Sequence, residues 1–231
     1  FRVKMERAFR EQNKQTRQFD YDTSLLPNTY VAELDKKNEP PPPTENVPLE
    51  HTHWTVGYPA WNLLYYTLYT SLHFTEQREP MIIEIGTNWG LSTIVMAQVL
   101  KDLQLDTTIH TVDIDEKYLN LAKQNAEEAG VADYITFHHQ DSFTYLTNFV
   151  NDVGHIDFIF LDGDHSFDAV KKEFGIIYPA VVATTGKVYF DNTTRLGVRR
   201  ALKFIKRAYG GNLVEFRNCS WQPPGNAVWQ P

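Results

Sequence analysis

The stretch "MIIEIGTNWGLSTIVMAQVLKDL", Met81 to Leu103, changes its period halfway along. Its first residues are apolar and isoleucine-rich, as a buried strand requires. From Leu91 onward apolar residues recur at helical spacing. Between the two lies "GTNWG", where Gly86 and Gly90 let the backbone turn sharply. A strand that passes through a glycine turn into a helix is the first part of a β/α unit. The start of that helix offers free N–H groups to an anionic ligand, with Ser92 as a hydroxyl donor. The glycine spacing is Gly-x-x-x-Gly, not the Gly-x-Gly-x-x-Gly of dinucleotide sites, and the Lys-Ser/Thr pair of a phosphate loop is missing.

Working outward, the alternation repeats. Strands are expected at 108–115, 134–141, 156–163 and 186–192, each followed by a helical stretch. The runs at 212–218 and 226–231 read as two last strands. Upstream, "AWNLLYYTLYTSLHF" (60–74) is apolar on nearly all sides, which predicts a mostly buried helix. The pattern predicts an α/β fold: a Rossmann-like, doubly wound, mostly parallel seven-stranded sheet with helices on both faces. Ligands in such sheets sit at the carboxyl ends of the strands. The unusual polar residues of this chain fall there.

Residues 1–50 differ in character. They are polar and broken by "NEPPPPTENVP" (38–48), which predicts an extended arm or linker before a single domain at 51–231. The arm is read as a tether, or as a segment packing over an active site or a partner subunit of a homo-oligomer. The sequence begins at Phe1, as expected of a piece of a longer protein. A net charge of -7 argues against nucleic acid as the main partner. Cys219 is the only cysteine, so neither an internal disulfide nor a cysteine-based zinc site can form, in keeping with a reducing, cytoplasmic setting. No apolar run approaches the roughly 20 residues that span a bilayer, and no signal-peptide pattern is present.

Three further motifs carry chemistry. In "TVDID" (111–115), Asp113 is placed to accept hydrogen bonds from ribose hydroxyls, and Asp115 to cap the next helix. In "HHQDSF" (138–143), Asp141 or Ser142 can bond an adenine edge and Phe143 can pack on its ring. His138 and His139 point to opposite faces of a strand and cannot easily share one ion. In "IDFIFLDGDHSF" (156–167) and "VYFDN" (188–192), Asp162, Asp191 and Asn192 end neighbouring strands. Two carboxylates and a carboxamide are hard oxygen donors that suit Mg²⁺ or a similar divalent cation.

The order of these motifs resembles the class I S-adenosylmethionine-dependent methyltransferases over roughly residues 55–231. That resemblance implies S-adenosylmethionine as cofactor, held by Glu84, Gly86, Thr87, Asn88, Gly90, Ser92, Asp113, Asp141, Ser142, Phe143 and Asp162. The Asp162, Asp191 and Asn192 trio resembles the metal ligands of the cation-dependent O-methyltransferases. Where many of those carry a lysine base, this chain has His165. "DGDHS" and "GVRRAL" look more like the members that methylate sugars of macrolide antibiotics, and like cephalosporin-hydroxylase-like relatives. The implied function is metal-assisted methyl transfer to a hydroxyl of a small molecule or glycoconjugate, a sugar before a phenol. His165 would be the base, and Asp162 would serve both metal and catalysis. Asp164 could orient His165 or replace Asp162 as ligand. The alternatives are a metal-independent methyltransferase with His165 as base, and an inactive methyltransferase-fold binding module. His51, His53, Trp54, Tyr58 and Trp61 are candidates for covering the mouth of the site.

Overall fold

The computed structural model describes residues 60–73, 79–216 and 225–231. The N-terminal arm, His51, His53, Trp54 and Tyr58 lie outside the described residues. Helix α1 (Ala60–His73) comes first, followed by β1 (Ile82–Ile85), α2 (Leu91–Leu103), β2 (Ile109–Asp113) and α3 (Glu116–Glu128). A short 3-10 turn at Ala132–Tyr134 leads into β3 (Ile135–His139) and α4 (Ser142–Asp152). Then come β4 (Phe158–Leu161), α5 (Phe167–Thr184), β5 (Lys187–Phe190), α6 (Leu196–Ala208), β6 (Asn212–Phe216) and β7 (Asn226–Gln230).

The seven strands form one sheet in the order β3-β2-β1-β4-β5-β7-β6. The first five pair in parallel, and β7 runs antiparallel to both β5 and β6. The chain therefore reverses direction across the sheet between β1 and β4, the place where a crevice opens above the strand ends.

Alternation along each strand divides the core in two. Ile82, Phe158 and Phe160 face α1 and α2, while Ile83, Ile159 and Leu161 face α4, α5 and α6. Both faces of β1 and β4 are buried, which is why these strands read as unbroken apolar runs. Each such side chain contributes about 1.5–3 kcal/mol on burial. Together they fix the register, since a one-residue slip would exchange the two faces. Helix α1 buries Leu63, Leu64, Tyr65, Leu68 and Leu72, in keeping with its apolar sequence.

Caps set the helix starts. Asp115 accepts from the Lys117 N–H, and Ser166 from the Ala169 N–H. Gly130 ends α3 with a φ of +66°, a conformation open to glycine. Asp141 caps α4 by accepting from the Thr144 N–H at 2.9 Å. The strand expected over 134–141 accordingly stops at His139.

Candidate active site

Register builds the site. Ile85 pairs with both Val112 and Leu161, and Leu161 pairs with Phe190. The next residues, Gly86, Asp162 and Asp191, therefore emerge side by side at the carboxyl edge. The Asp162 N–H donates to the Ile85 carbonyl at 2.9 Å, and the Asp191 N–H to the Leu161 carbonyl at 3.3 Å. Gly86 has a φ of +96°, and a Cβ there would stand 2.4 Å from the Asp162 carbonyl oxygen. Only a residue without a side chain lets the first turn lie against the end of β4.

The glycine turn is tied to β2 through Asp113. Its carboxylate accepts from the Asn88 N–H and the Asp115 N–H, each at 2.9 Å. Ile114, 72% exposed, stands beside it. Sequence reading overlooked this residue, and the signal was an isoleucine placed between two acids at a strand end. Asn88, with a φ of +47°, and Gly90, with a φ of +83°, complete the turn. Asn125 holds it from α3 by donating to the Trp89 carbonyl.

Beneath the turn lies Glu84, fully buried. It accepts hydroxyl hydrogen bonds from Ser92, Thr93 and Thr111. Burial pushes its carboxyl up to about 7, against the opposing pull of those hydroxyls. Ser92 was expected to face an anionic ligand. The structure turns its hydroxyl inward to Glu84 instead, because an unsatisfied buried carboxyl costs more than a surface hydroxyl gains. Thr87 is also buried and shares a hydrogen bond with Thr111 at 2.6 Å.

At the start of α4, Ser142 donates to Glu173 of α5 at 2.8 Å. Glu173 is buried, and its carboxyl rises to about 7 through burial, with smaller contributions from Asp164 and Asp141. Phe143 has the Lys172 ammonium 3.9 Å from its ring centre. His138 stacks on His110, while His139 contacts the Ile114 carbonyl. The two adjacent histidines do point apart.

Asp162, His165, Asp191 and Asn192 converge. His165 Nε2 lies 3.1 Å from Asp162 Oδ1. The Asn192 amide donates to Asp162 Oδ1 at 3.2 Å and to Asp191 Oδ2 at 3.0 Å. Asn226, on β7, donates to Asp191 Oδ1 at 2.5 Å. Asp191 is buried, and that burial, with the Asp162 charge, raises its carboxyl well above the usual range. Asn192 has a φ of +55°, and its Oδ1 receives the Arg195 Nε–H at 3.3 Å. Asp164 is exposed and accepts from the N–H and hydroxyl of Ser166. Among the described residues it makes no hydrogen bond to His165 or to the trio, whereas Asp162 bonds His165.

Among the described residues no three His, Cys, Asp or Glu side chains gather to hold a metal. The trio is two acids and an amide. Two carboxylates and a carboxamide are the oxygen donors that suit a hard divalent cation, and here Asn192 spends its amide hydrogens on the two acids and its oxygen on Arg195.

Residues 83–193 match a family described as a methyltransferase domain. A putative caffeoyl-CoA O-methyltransferase of Arabidopsis thaliana is 33% identical over 138 residues, 58% of this chain and 57% of that protein. The chain thus spans little more than half the length of this curated relative. An O-methyltransferase from Bacillus cereus, solved in complex with S-adenosylhomocysteine, superposes with a TM-score of 0.64 at 16% identity, covering 95% of this chain and 96% of that one. The Streptomyces achromogenes O-methyltransferase TomG, involved in tomaymycin synthesis and solved with S-adenosylmethionine, gives 0.61 at 20% identity over 76% of this chain and 80% of that one. Residues 83–193 are thus similar to a methyltransferase domain, part of the chain is similar to a caffeoyl-CoA O-methyltransferase-like relative, and the fold resembles that of solved O-methyltransferases.

Proposed function

We propose that the protein transfers the methyl group of S-adenosylmethionine to a hydroxyl of a small molecule or glycan, a sugar before a phenol. The single observation that carries this is the convergence of Asp162, His165, Asp191 and Asn192 against the Gly86 turn. Cofactor turn and acid–base group share one edge of the sheet. Gly86, Asn88 and Gly90 shape the methionine side, Asp113 the ribose side, and Ile114 and Phe143 offer surfaces for a flat base.

A carboxylate only accepts hydrogen bonds, so His165 carries its proton on Nε2, toward Asp162. That leaves Nδ1 basic, and Nδ1 has no hydrogen-bond partner among the described residues. In the reaction an acceptor oxygen forms a bond to the methyl carbon while the carbon–sulfur bond breaks. Its electron pair stays on sulfur as S-adenosylhomocysteine leaves, and the hydroxyl proton passes to Nδ1 of His165. Asp162 then faces an imidazolium and stabilises it. A divalent cation bound by Asp162, Asp191 and Asn192 would lower the pKa of the acceptor hydroxyl. General-base help is worth on the order of 10²–10⁴ in rate.

One observation favours a second reading, transfer by His165 without metal. The Asn192 amide already bridges the two acids, so the pair holds together with no cation.

The test is a methyl-transfer screen over sugars and phenols, with chelator and with Mg²⁺. Mg²⁺ should restore turnover to chelated protein, and His165→Ala should lose about 10²-fold or more. Full turnover in chelator would remove the cation, and an unchanged His165→Ala rate would remove the base.

A further inference from the structure

Helix α6 leaves the site and carries an unbroken run of positive charge. Its first turn touches the acid–base loop, since a Cβ at Gly197 would stand 2.2 Å from the His165 carbonyl oxygen. Val198, Ala201, Leu202 and Ile205 are buried against the sheet. Arg195, Arg199, Arg200, Lys203, Lys206 and Arg207 are all exposed. At 3.6 residues per turn these six fall within an arc of roughly 140°. The helix contains no acid. Among the described residues none of the six has an ion-pair partner, although the chain as a whole carries a net charge of -7. Arg195, Arg199, Lys203 and Arg207 form a row with about 6 Å between successive members.

We propose that this face of α6 docks an acidic polysaccharide and leads one of its hydroxyls to the site beside His165. The inference rests on the methyltransferase reading above and names its acceptor class. A ligand with one charge would use one cation and leave the rest idle, whereas the row matches a chain with repeated carboxylates. Leu196, 55% exposed at the site end of the arc, offers a surface to the apolar side of a sugar ring. Single-stranded nucleic acid is disfavoured because it binds on exposed aromatic platforms. Among the described residues, the aromatics nearest this face are already engaged. The Phe204 ring lies 4.8 Å from the Lys171 ammonium and packs edge-on against Phe167. Tyr209 packs on Phe174 and Tyr178.

The experiment uses the full chain and fragments of polygalacturonate as probe, with neutral dextran, an RNA oligonucleotide and anionic phospholipid vesicles as comparisons. Polygalacturonate should bind in low salt, weaken as salt rises, and lose about tenfold or more in affinity in an Arg199→Glu, Lys203→Glu, Arg207→Glu variant. These positions are exposed, so the fold should survive, and calorimetry with S-adenosylmethionine verifies it. Equal binding of dextran, an unaffected variant, or tighter binding of the RNA or the vesicles overturns the proposal. Failure of the wild-type protein to bind S-adenosylmethionine instead overturns the methyltransferase reading and with it the acceptor role. Glycan binding is read separately, so the two failures are distinct.

Discussion

Burying a carboxyl group away from water sets a direction for stability against pH, and Glu173 is the clearest instance. Its folded carboxyl titrates at about 7, above the ordinary value of 4.5, because burial disfavours its charge. As pH rises from about 4.5 to 7 the unfolded chain loses this proton and the folded chain keeps it. The fold is therefore destabilised across that window, by about 1.4 kcal/mol per unit of difference. Glu173→Gln removes the titration and keeps an acceptor for Ser142. The thermal midpoint of this variant should fall less than that of wild type between pH 5 and 7.5. Parallel curves would show that Glu173 titrates normally. At this scale the sequence was legible where a side chain's partner is near in the chain: Asp115 is a cap, and His138 and His139 diverge. It was not legible where the partner comes from another element. Glu84 takes its hydroxyls from α2 and β2, and Ser142 is held by a glutamate 31 residues away. No local pattern announces such pairs.

Among elements, the contact between α6 and the loop after β4 is set by one glycine. With the His165 carbonyl oxygen 2.2 Å from a Cβ, Gly197→Ala must push the first turn of α6 off the loop after β4. Methyl transfer should fall by about 10²-fold, as expected of a displacement near 1 Å at a reacting group, while S-adenosylmethionine affinity stays within about twofold. Equal losses in both would mean that the damage is global. The strands and helices themselves were readable, because both faces of β1 and β4 are buried and the period changes at each turn. Strand ends were less so: the strand after α3 gives way to the Asp141 cap. The antiparallel entry of β7 between β5 and β6 was hidden, since alternation carries no information on neighbours. The contact of Asn226 with Asp191 went with it.

For the molecule as a whole, the paired acids of the site make stability sensitive to what binds there, since burial and the Asp162 charge raise the Asp191 carboxyl. A ligand that binds only the native state adds stability as its concentration exceeds its dissociation constant, about 2.7 kcal/mol at a hundredfold excess. In a domain of this size that is a rise of roughly 5–10 °C. Mg²⁺ should raise the midpoint of wild type and leave Asp191→Asn unmoved, in the absence of any substrate. The same rise in both would place the ion elsewhere.

The position of β7 also has a consequence for biosynthesis. Chains emerge from the ribosome in sequence order, at about 5–20 residues per second. Asp162, His165, Asp191 and Asn192 are all made before Asn226, whose amide holds the buried Asp191 carboxyl. Through those seconds β5 has an open edge and Asp191 lacks this partner. A nascent chain stalled before residue 226 should therefore expose β5 to chaperones, and should become protected only once β7 is released.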